Sequence, residues 1–162
     1  PFWWWLSNQI GKRKTWLISS AATFLFLCVF FLYPIKSLEE LLFIIALIGA
    51  GSGAFGILFW SMLPDTIEYG EVETGIRSES SLYGFMTFAQ KGSIALAITI
   101  LGTTLNLIGF EPNEVQSEET IESMKSIMGI IPAFGVALSF VIIYFYPIDS
   151  KKHKELLKKL NN

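Results

Sequence analysis

The sequence contains little charge and few of the residues that build disulfides or metal sites. Asp, Glu, Lys and Arg make up 16% of its 162 residues, whereas a soluble domain has about 25%. Its one cysteine, Cys28, cannot form a disulfide within the chain, and its one histidine, His153, stands alone near the C-terminus. The net charge of −2 does not indicate a nucleic-acid partner. These shortages argue against an ordinary soluble domain, and no spacing of residues indicates a metal site or a cofactor.

The chain has long uncharged stretches instead, with 52% hydrophobic residues and a mean hydropathy of +0.51. A membrane-spanning helix needs about 20 predominantly apolar residues. Four stretches meet this requirement, at residues 15–34, 40–63, 80–110 and 126–148. Backbone polar groups in lipid must be hydrogen-bonded within their own segment. We therefore predict an all-α membrane protein with four transmembrane helices.

The segments between these helices differ in charge, and the difference predicts their orientation. We expect a helix end and a basic loop at residues 1–14, an acidic loop at 64–79, an external loop at 111–125 and a basic tail at 149–162. Lysine and arginine favour the cytoplasmic side, which places both ends and residues 64–79 there. The acidic loop departs from that rule, which indicates a separate role. Because the chain begins at Pro1 in an apolar stretch, we expect it to be a fragment of a longer protein.

Lys91 is the charged residue inside the predicted third helix. If that helix begins near Glu79, Lys91 lies about 18 Å along it, close to the middle of a hydrocarbon core about 30 Å thick. An ammonium group at this depth should face a cavity or a partner within the protein. The candidate residues for a substrate or coupling-ion site are Lys91, Thr87, Gln90 and Tyr83. A structural ion pair is the alternative, but the four predicted spans contain no carboxylate apart from Glu40 at the first position of the second span.

Acidic residues recur every three positions in the segment 64–79, at Asp65, Glu68 and Glu71. On a helix they would share one face. Paired carboxylates can act as general acid and base or hold a divalent metal, but the segment offers no nucleophile or phosphate-binding loop. A charge network that opens and closes a cytoplasmic gate fits better, with its basic partners expected outside this chain. The gate candidates are Asp65, Glu68, Tyr69, Gly70, Glu71, Arg77 and Glu79.

Three short motifs resemble a known family. Residues 62–71 (MLPDTIEYGE), 75–80 (GIRSES) and 90–92 (QKG) resemble the signature between the tenth and eleventh helices of the glycoside-pentoside-hexuronide:cation symporters. Residues 7–14 (SNQIGKRK) resemble the family's basic loop between helices eight and nine. The chain departs from the pattern at Pro64, where several members have alanine. It also departs at Met86, where the melibiose carrier has a polar residue.

This resemblance implies a major facilitator fold of two six-helix bundles, of which this chain supplies the end of helix eight and helices nine to twelve. It implies a secondary active transporter, not an enzyme, which couples sugar uptake to Na⁺ or H⁺ by alternating access. The partners would be the sugar, the cation, the lipid bilayer and the N-terminal bundle of the same polypeptide, which holds the cation-binding carboxylates. We expect a bacterial inner membrane as the location. The alternative is a lipid-handling or non-transporting membrane protein of the same fold.

Overall fold

The computed structural model describes residues 1–149, 152–153 and 155–156. Residues 1–149 contain five helices: α1 (Phe2–Ile10), α2 (Lys12–Leu32), α3 (Leu38–Thr74), α4 (Glu79–Leu107) and α5 (Glu118–Tyr144). The last four are long and apolar enough to cross a membrane. Most of the predicted tail, residues 149–162, lies outside the described residues, although 152–153 and 155–156 are helical.

Helix α3 continues for eleven residues beyond the end predicted for it at residue 63, so the predicted loop 64–79 is mostly helical. A proline removes one backbone donor and usually breaks a helix. Here two side chains donate to carbonyl groups beside Pro64: Lys12 Nζ to the Ser61 oxygen at 2.7 Å, and the Thr66 hydroxyl to the Met62 oxygen at 3.0 Å. These bonds stabilise the backbone around the proline. The helix ends at Gly75, whose φ of 71° is the left-handed conformation that glycine adopts readily.

Other helix boundaries also differ from the predicted ones, because the helices include charged residues outside the uncharged stretches. The basic loop in residues 1–14 is absent, because only Gly11 separates α1 from α2 and Lys12 already belongs to α2. Helix α5 begins at Glu118 instead of residue 126, since Ser117 accepts a hydrogen bond from the Thr120 amide and caps it. Uncharged stretches mark only the part of a helix within the hydrocarbon core. A helix of 27 residues is about 40 Å long, and its charged ends extend beyond that core.

Helix α2 lies between α3 and α5 and buries a stripe of small hydroxyl residues, followed by two large apolar ones, Leu27 and Phe30. The stripe consists of Thr15, Ser19, Ser20 and Thr23, each at most 2% exposed. The Ser19 hydroxyl donates to the Gly51 carbonyl of α3 at 2.7 Å. Small residues let membrane helices approach closely where the hydrophobic effect does not hold them together.

Gly51 is a point of close approach between α2 and α3. A Cβ atom there would lie 2.9 Å from Thr23 Oγ1 and 3.2 Å from Thr23 Cα, which belongs to the backbone. Gly53 lies against the Trp3 ring, and Trp3 Nε1 donates to the Ala50 carbonyl at 2.7 Å. The small residues of α3 therefore hold α1 and α2 against it.

Replacing Gly51 with alanine should lower the free energy of unfolding by about 1–3 kcal/mol, because the new methyl group overpacks the contact with α2. Thermal unfolding of the detergent-purified protein measures the change. Gly56→Ala is the matched control, since a Cβ atom at Gly56 meets nothing within 4 Å. Equal melting temperatures for the two variants would contradict this account of the contact.

Helix α4 contacts the rest of the described chain much less than the other helices do, and none of its residues is buried. Its inner face borders a mostly apolar cavity of about 500 Å³ between α2, α3, α4 and α5. Leu82, Phe85 and Met86 are the α4 residues that line this cavity. The opposite face of α4 is left open.

Candidate functional site

The first candidate site is a polar stripe on the open face of α4. Tyr83, Thr87 and Lys91 are spaced four residues apart, so they lie one above another along the helix. All three side chains are exposed. Lys91 makes no hydrogen bond or ion pair within the part of the chain that the structure describes. The stripe thus presents two hydroxyl groups and one ammonium group on one surface.

Gln90, the fourth predicted member of this site, does not share the stripe. It is half-buried, like Met86 and Leu82, which lie four and eight residues before it on the inner face of α4. The structure therefore places three of the four predicted residues on one face of α4 and the fourth on another face. Lys91 lies twelve residues after the start of α4 at Glu79, which corresponds to about 18 Å along the helix.

The second candidate site is the charged end of α3, where Asp65 forms an ion pair with Lys12. Lys12 Nζ lies 2.7 Å and 2.8 Å from the two carboxylate oxygens of Asp65. The Asp65 side chain is 8% exposed and that of Lys12 is 30% exposed. The prediction that basic partners lie outside the chain is therefore wrong for Asp65. Because α2 begins at Lys12, this ion pair fixes the start of α2 against α3.

Glu68, one helical turn after Asp65, is paired with His153. The Nε2 atom of His153 lies 2.9 Å from Glu68 Oε2 and 3.5 Å from Asp65 Oδ1. The interpretation of His153 as isolated in the tail is therefore wrong. Next to it, the ammonium of Lys152 lies 4.8 Å from the centroid of the Tyr69 ring, in a cation–π contact. These contacts place the segment after α5 on the end of α3.

Glu71, Arg77 and Glu79 form a second charge cluster at the turn between α3 and α4. The guanidinium of Arg77 donates to Glu71 at 2.9 Å and to Glu79 at 3.1 Å. The hydrogen bond to Glu71, followed by that to Glu79, raises the pKa of the Arg77 guanidinium, so it stays charged. Gly70 lies within α3 with open space around it. The predicted gate residues therefore form two clusters at the same end of α3.

Tyr146, in the segment that follows α5, lies beside the cluster formed by Lys12, Asp65, Glu68 and His153. Its hydroxyl lies 3.0 Å from that of Thr66 on α3. Burial raises the pKa of Tyr146, and the hydrogen bond with Thr66 lowers it less, so the phenol is neutral near neutral pH. Tyr146 also packs against the apolar core formed by Ala54, Leu58 and Met62.

The groups around Asp65 include two carboxylates and an imidazole, which are common metal ligands. One atom each from Asp65, Glu68 and His153 lie within 4.8 Å of one another. However, the ammonium of Lys12 already contacts both oxygens of Asp65. Because that cation neutralises the carboxylate, the cluster is better described as an ion-pair network than as a metal centre.

Sequence reasoning missed two residues of this network, Lys12 and His153. A lysine in the first turn of a helix is unfavourable, because its charge opposes the helix dipole. The position of Lys12 therefore indicated that a carboxylate should lie near it. Nothing in its surroundings indicated which one, because Asp65 lies 53 residues further along the chain. For His153, which is 85 residues from Glu68, the sequence offered no signal.

Comparison with known proteins gives consistent matches. The family model described as "MFS/sugar transport protein" matches residues 1–150. The chain is 34% identical over 154 residues to the glucuronide carrier protein homolog of Escherichia coli (strain K12), which covers 95% of this chain and 34% of that protein. It is 30% identical over 157 residues to the uncharacterized symporter YnaJ of Bacillus subtilis (strain 168), with 97% of this chain and 34% of that protein covered. It is also 35% identical over 112 residues to a putative sulfoquinovose importer of Escherichia coli (strain K12), with coverages of 68% and 24%.

The chain thus spans about a third of the length of the first two of these relatives. The matches confirm the resemblance carried by the motifs in residues 62–92, and these relatives are named as a carrier, a symporter and an importer, not as enzymes. The described helices, together with the family match, confirm an all-α part of the major facilitator fold. The chain belongs to the family of MFS/sugar transport proteins.

Proposed function

We propose that this chain is the C-terminal part of a sugar:cation symporter that works by alternating access. The observation that supports this most directly is the stripe of Tyr83, Thr87 and Lys91 on the open face of a membrane helix. A charged side chain at this depth is costly in lipid, so the stripe fits a polar cavity shared with the other helix bundle. Hydroxyl and ammonium groups are suitable hydrogen-bonding partners for a sugar.

The substrate we propose is a glycoside, a pentoside or a hexuronide, and a hexuronide fits this chain best. Lys91 makes no ion pair within the described residues, and the carboxylate of a sugar acid would supply its counter-charge. Two of the similar proteins carry names that refer to acidic sugars, glucuronide and sulfoquinovose. We propose Na⁺ or H⁺ as the coupling ion, which carboxylates of the N-terminal bundle would bind.

We further propose that both ends of the chain and residues 64–79 lie on the cytoplasmic side of a bacterial inner membrane. The basic residues at the start of α2 and after α5 support this orientation. The two charge clusters at the end of α3 would then lie at the cytoplasmic entrance. The cytoplasmic gate would include the residues predicted for it: Asp65, Glu68, Tyr69, Gly70, Glu71, Arg77 and Glu79. The ion pair between Lys12 and Asp65 would fix the helices on which that gate moves.

The lipid-handling alternative would use an apolar cavity instead. A cavity of about 810 Å³ lies between α2, α3 and α5 and is lined mainly by apolar side chains. The names of the three relatives described above refer to a glucuronide, to symport and to sulfoquinovose, which favours the sugar hypothesis. Uptake assays separate the two hypotheses.

The experiment is uptake of matched labelled sugars into vesicles that contain the full-length protein. We expect a glucuronide to enter faster than the glucoside with the same aglycone, because only the glucuronide presents a carboxylate to Lys91. Vesicles without the protein give the background. Equal uptake of the two sugars would contradict a hexuronide as substrate, and no uptake of any glycoside, pentoside or hexuronide would favour the lipid-handling alternative.

A further inference from the structure

The segment that follows α5 returns to the end of α3 and makes several contacts there. Ile148 and Leu156 are 5% and 4% exposed, so both ends of the segment are anchored by buried apolar side chains. Between them, the Asp149 side chain accepts a hydrogen bond from the Lys152 amide at 2.8 Å and starts a helical turn. This turn places His153 beside Glu68. We call the described residues of this stretch, 148–149, 152–153 and 155–156, the C-terminal segment.

Within the part of the chain that the structure describes, the charges that contact His153 and its partners leave one negative charge unbalanced. The carboxylates of Asp65 and Glu68 both face its imidazole, at 3.5 Å and 2.9 Å. Lys12 supplies one positive charge, and it lies against Asp65. Two carboxylates and one ammonium leave a net charge of −1, which a protonated imidazole neutralises and a neutral imidazole does not.

Among the residues that the structure describes, no further cation contacts the carboxylate of Asp65 or Glu68. Tyr146, from the segment after α5, stays neutral near neutral pH because burial raises its pKa. Lys152 lies over the Tyr69 ring, and Arg13 of α2 donates to the Tyr144 carbonyl. Arg77 pairs with Glu71 and Glu79 at the turn. The acidic groups of the C-terminal segment itself are Asp149 and Glu155.

We propose that His153 is a protonation-sensitive latch, which holds the C-terminal segment on the end of α3 when its imidazole is protonated and weakens that hold when it is neutral. Imidazole changes its charge within the physiological pH range. A neutral imidazole can donate one hydrogen bond from Nε2 to a carboxylate. However, it carries no charge that the carboxylates of Asp65 and Glu68 could attract. The segment is therefore held more tightly at acidic pH than at alkaline pH.

The latch has a consequence for transport that rests on the proposed function. The end of α3 contains the proposed gate residues Glu68 and Tyr69, which are the residues that the C-terminal segment contacts. A docked segment restrains that end of α3, and a released one frees it. The rate of gate opening would then follow the pH on the side of the membrane where the segment lies.

Distance measurements between two spin labels test the latch in the full-length protein purified in detergent. One label replaces Glu73 at the exposed end of α3, and the other replaces the exposed Glu155, in a background in which Cys28 is replaced by serine. Spectra are recorded at about pH 5.5 and about pH 8.5, on either side of the usual titration range of histidine. We expect a short, narrow distance at the acidic pH and a broader, longer distribution at the alkaline pH. The ratio of docked to released segment should change about fivefold, as expected for a partly exposed ion pair.

Two variants of His153 and one control make this result specific. His153→Gln should show the released distribution at both pH values, and His153→Lys, which keeps a positive charge, should show the docked distance at both. Lys152→Gln removes the contact with Tyr69 and should loosen the segment equally at both pH values, while the pH difference remains. A wild-type distribution that does not change with pH, or a His153→Gln variant with the wild-type pH response, would overturn the latch. Because the measurement uses neither sugar nor an ion gradient, its outcome is independent of the transport proposal.

Discussion

Replacing Asp65 with leucine should destabilise the full-length transporter by about 2 kcal/mol, because it leaves the ammonium of Lys12 without its carboxylate. The Asp65 side chain is 8% exposed, and both of its oxygens contact Lys12. The estimate is below that for a fully buried pair, since Lys12 is 30% exposed and water reaches part of it. The loss should appear as a lower melting temperature in detergent.

A double variant separates the ion pair from the general effect of changing a charge. When Lys12→Met is combined with Asp65→Leu, most of the lost stability should return, because two apolar side chains need no counter-charge. Glu73→Gln is the matched control, as Glu73 lies on the same helix but is exposed. If Asp65→Leu melts at the temperature of this control, or if the double variant is no more stable than Asp65→Leu, the pair does not hold α2 against α3.

Replacing Lys91 with alanine should lower sugar uptake about 10–100-fold, which is the effect of losing a charge-assisted hydrogen bond of roughly 1.5–3 kcal/mol. The expectation follows from the position of Lys91 in the middle of α4, on the same open face as Tyr83 and Thr87. Uptake is measured in vesicles with equal amounts of transporter, which controls for poor expression.

Two companion variants define what Lys91 contributes. Thr87→Ala should reduce uptake less, since it removes a neutral hydrogen-bonding group from the same stripe. Lys36→Ala removes an exposed lysine from the connection between α2 and α3 and should leave uptake unchanged. Unchanged uptake for Lys91→Ala would contradict the assignment of Lys91 to the substrate or cation site, while the membership of the family would stand.

The sequence was sufficient to predict the membrane helices and the family, since both depend on local patterns. Uncharged stretches of about 20 residues identify membrane spans, and the motif that ends at Lys91 is contiguous in the chain. The helix ends were harder to predict, because α5 begins with two glutamates that lie outside any uncharged stretch. Likewise, α3 continues through Pro64, where Lys12 donates to a neighbouring carbonyl.

The contacts of the charged end of α3 could not be predicted from the sequence. The partners in the pairs Lys12–Asp65 and Glu68–His153 lie 53 and 85 residues apart, so only the packing of the helices brings them together. The close contact between Gly51 and α2 could not be predicted from the sequence either. Gly51 contacts Ser19, which lies 32 residues before it, so the packing of α2 against α3 decides where this contact falls.

Accumulation of a labelled sugar in proteoliposomes tests the central claim most directly. The full-length protein is reconstituted, and uptake is followed with an inward Na⁺ gradient, with an inward H⁺ gradient and with neither. We predict that one of the two gradients drives the internal sugar concentration transiently above the external one, because coupled entry of the cation supplies the free energy. Sugar that only equilibrates across the membrane, at the same rate with and without each gradient, would contradict cation-coupled symport.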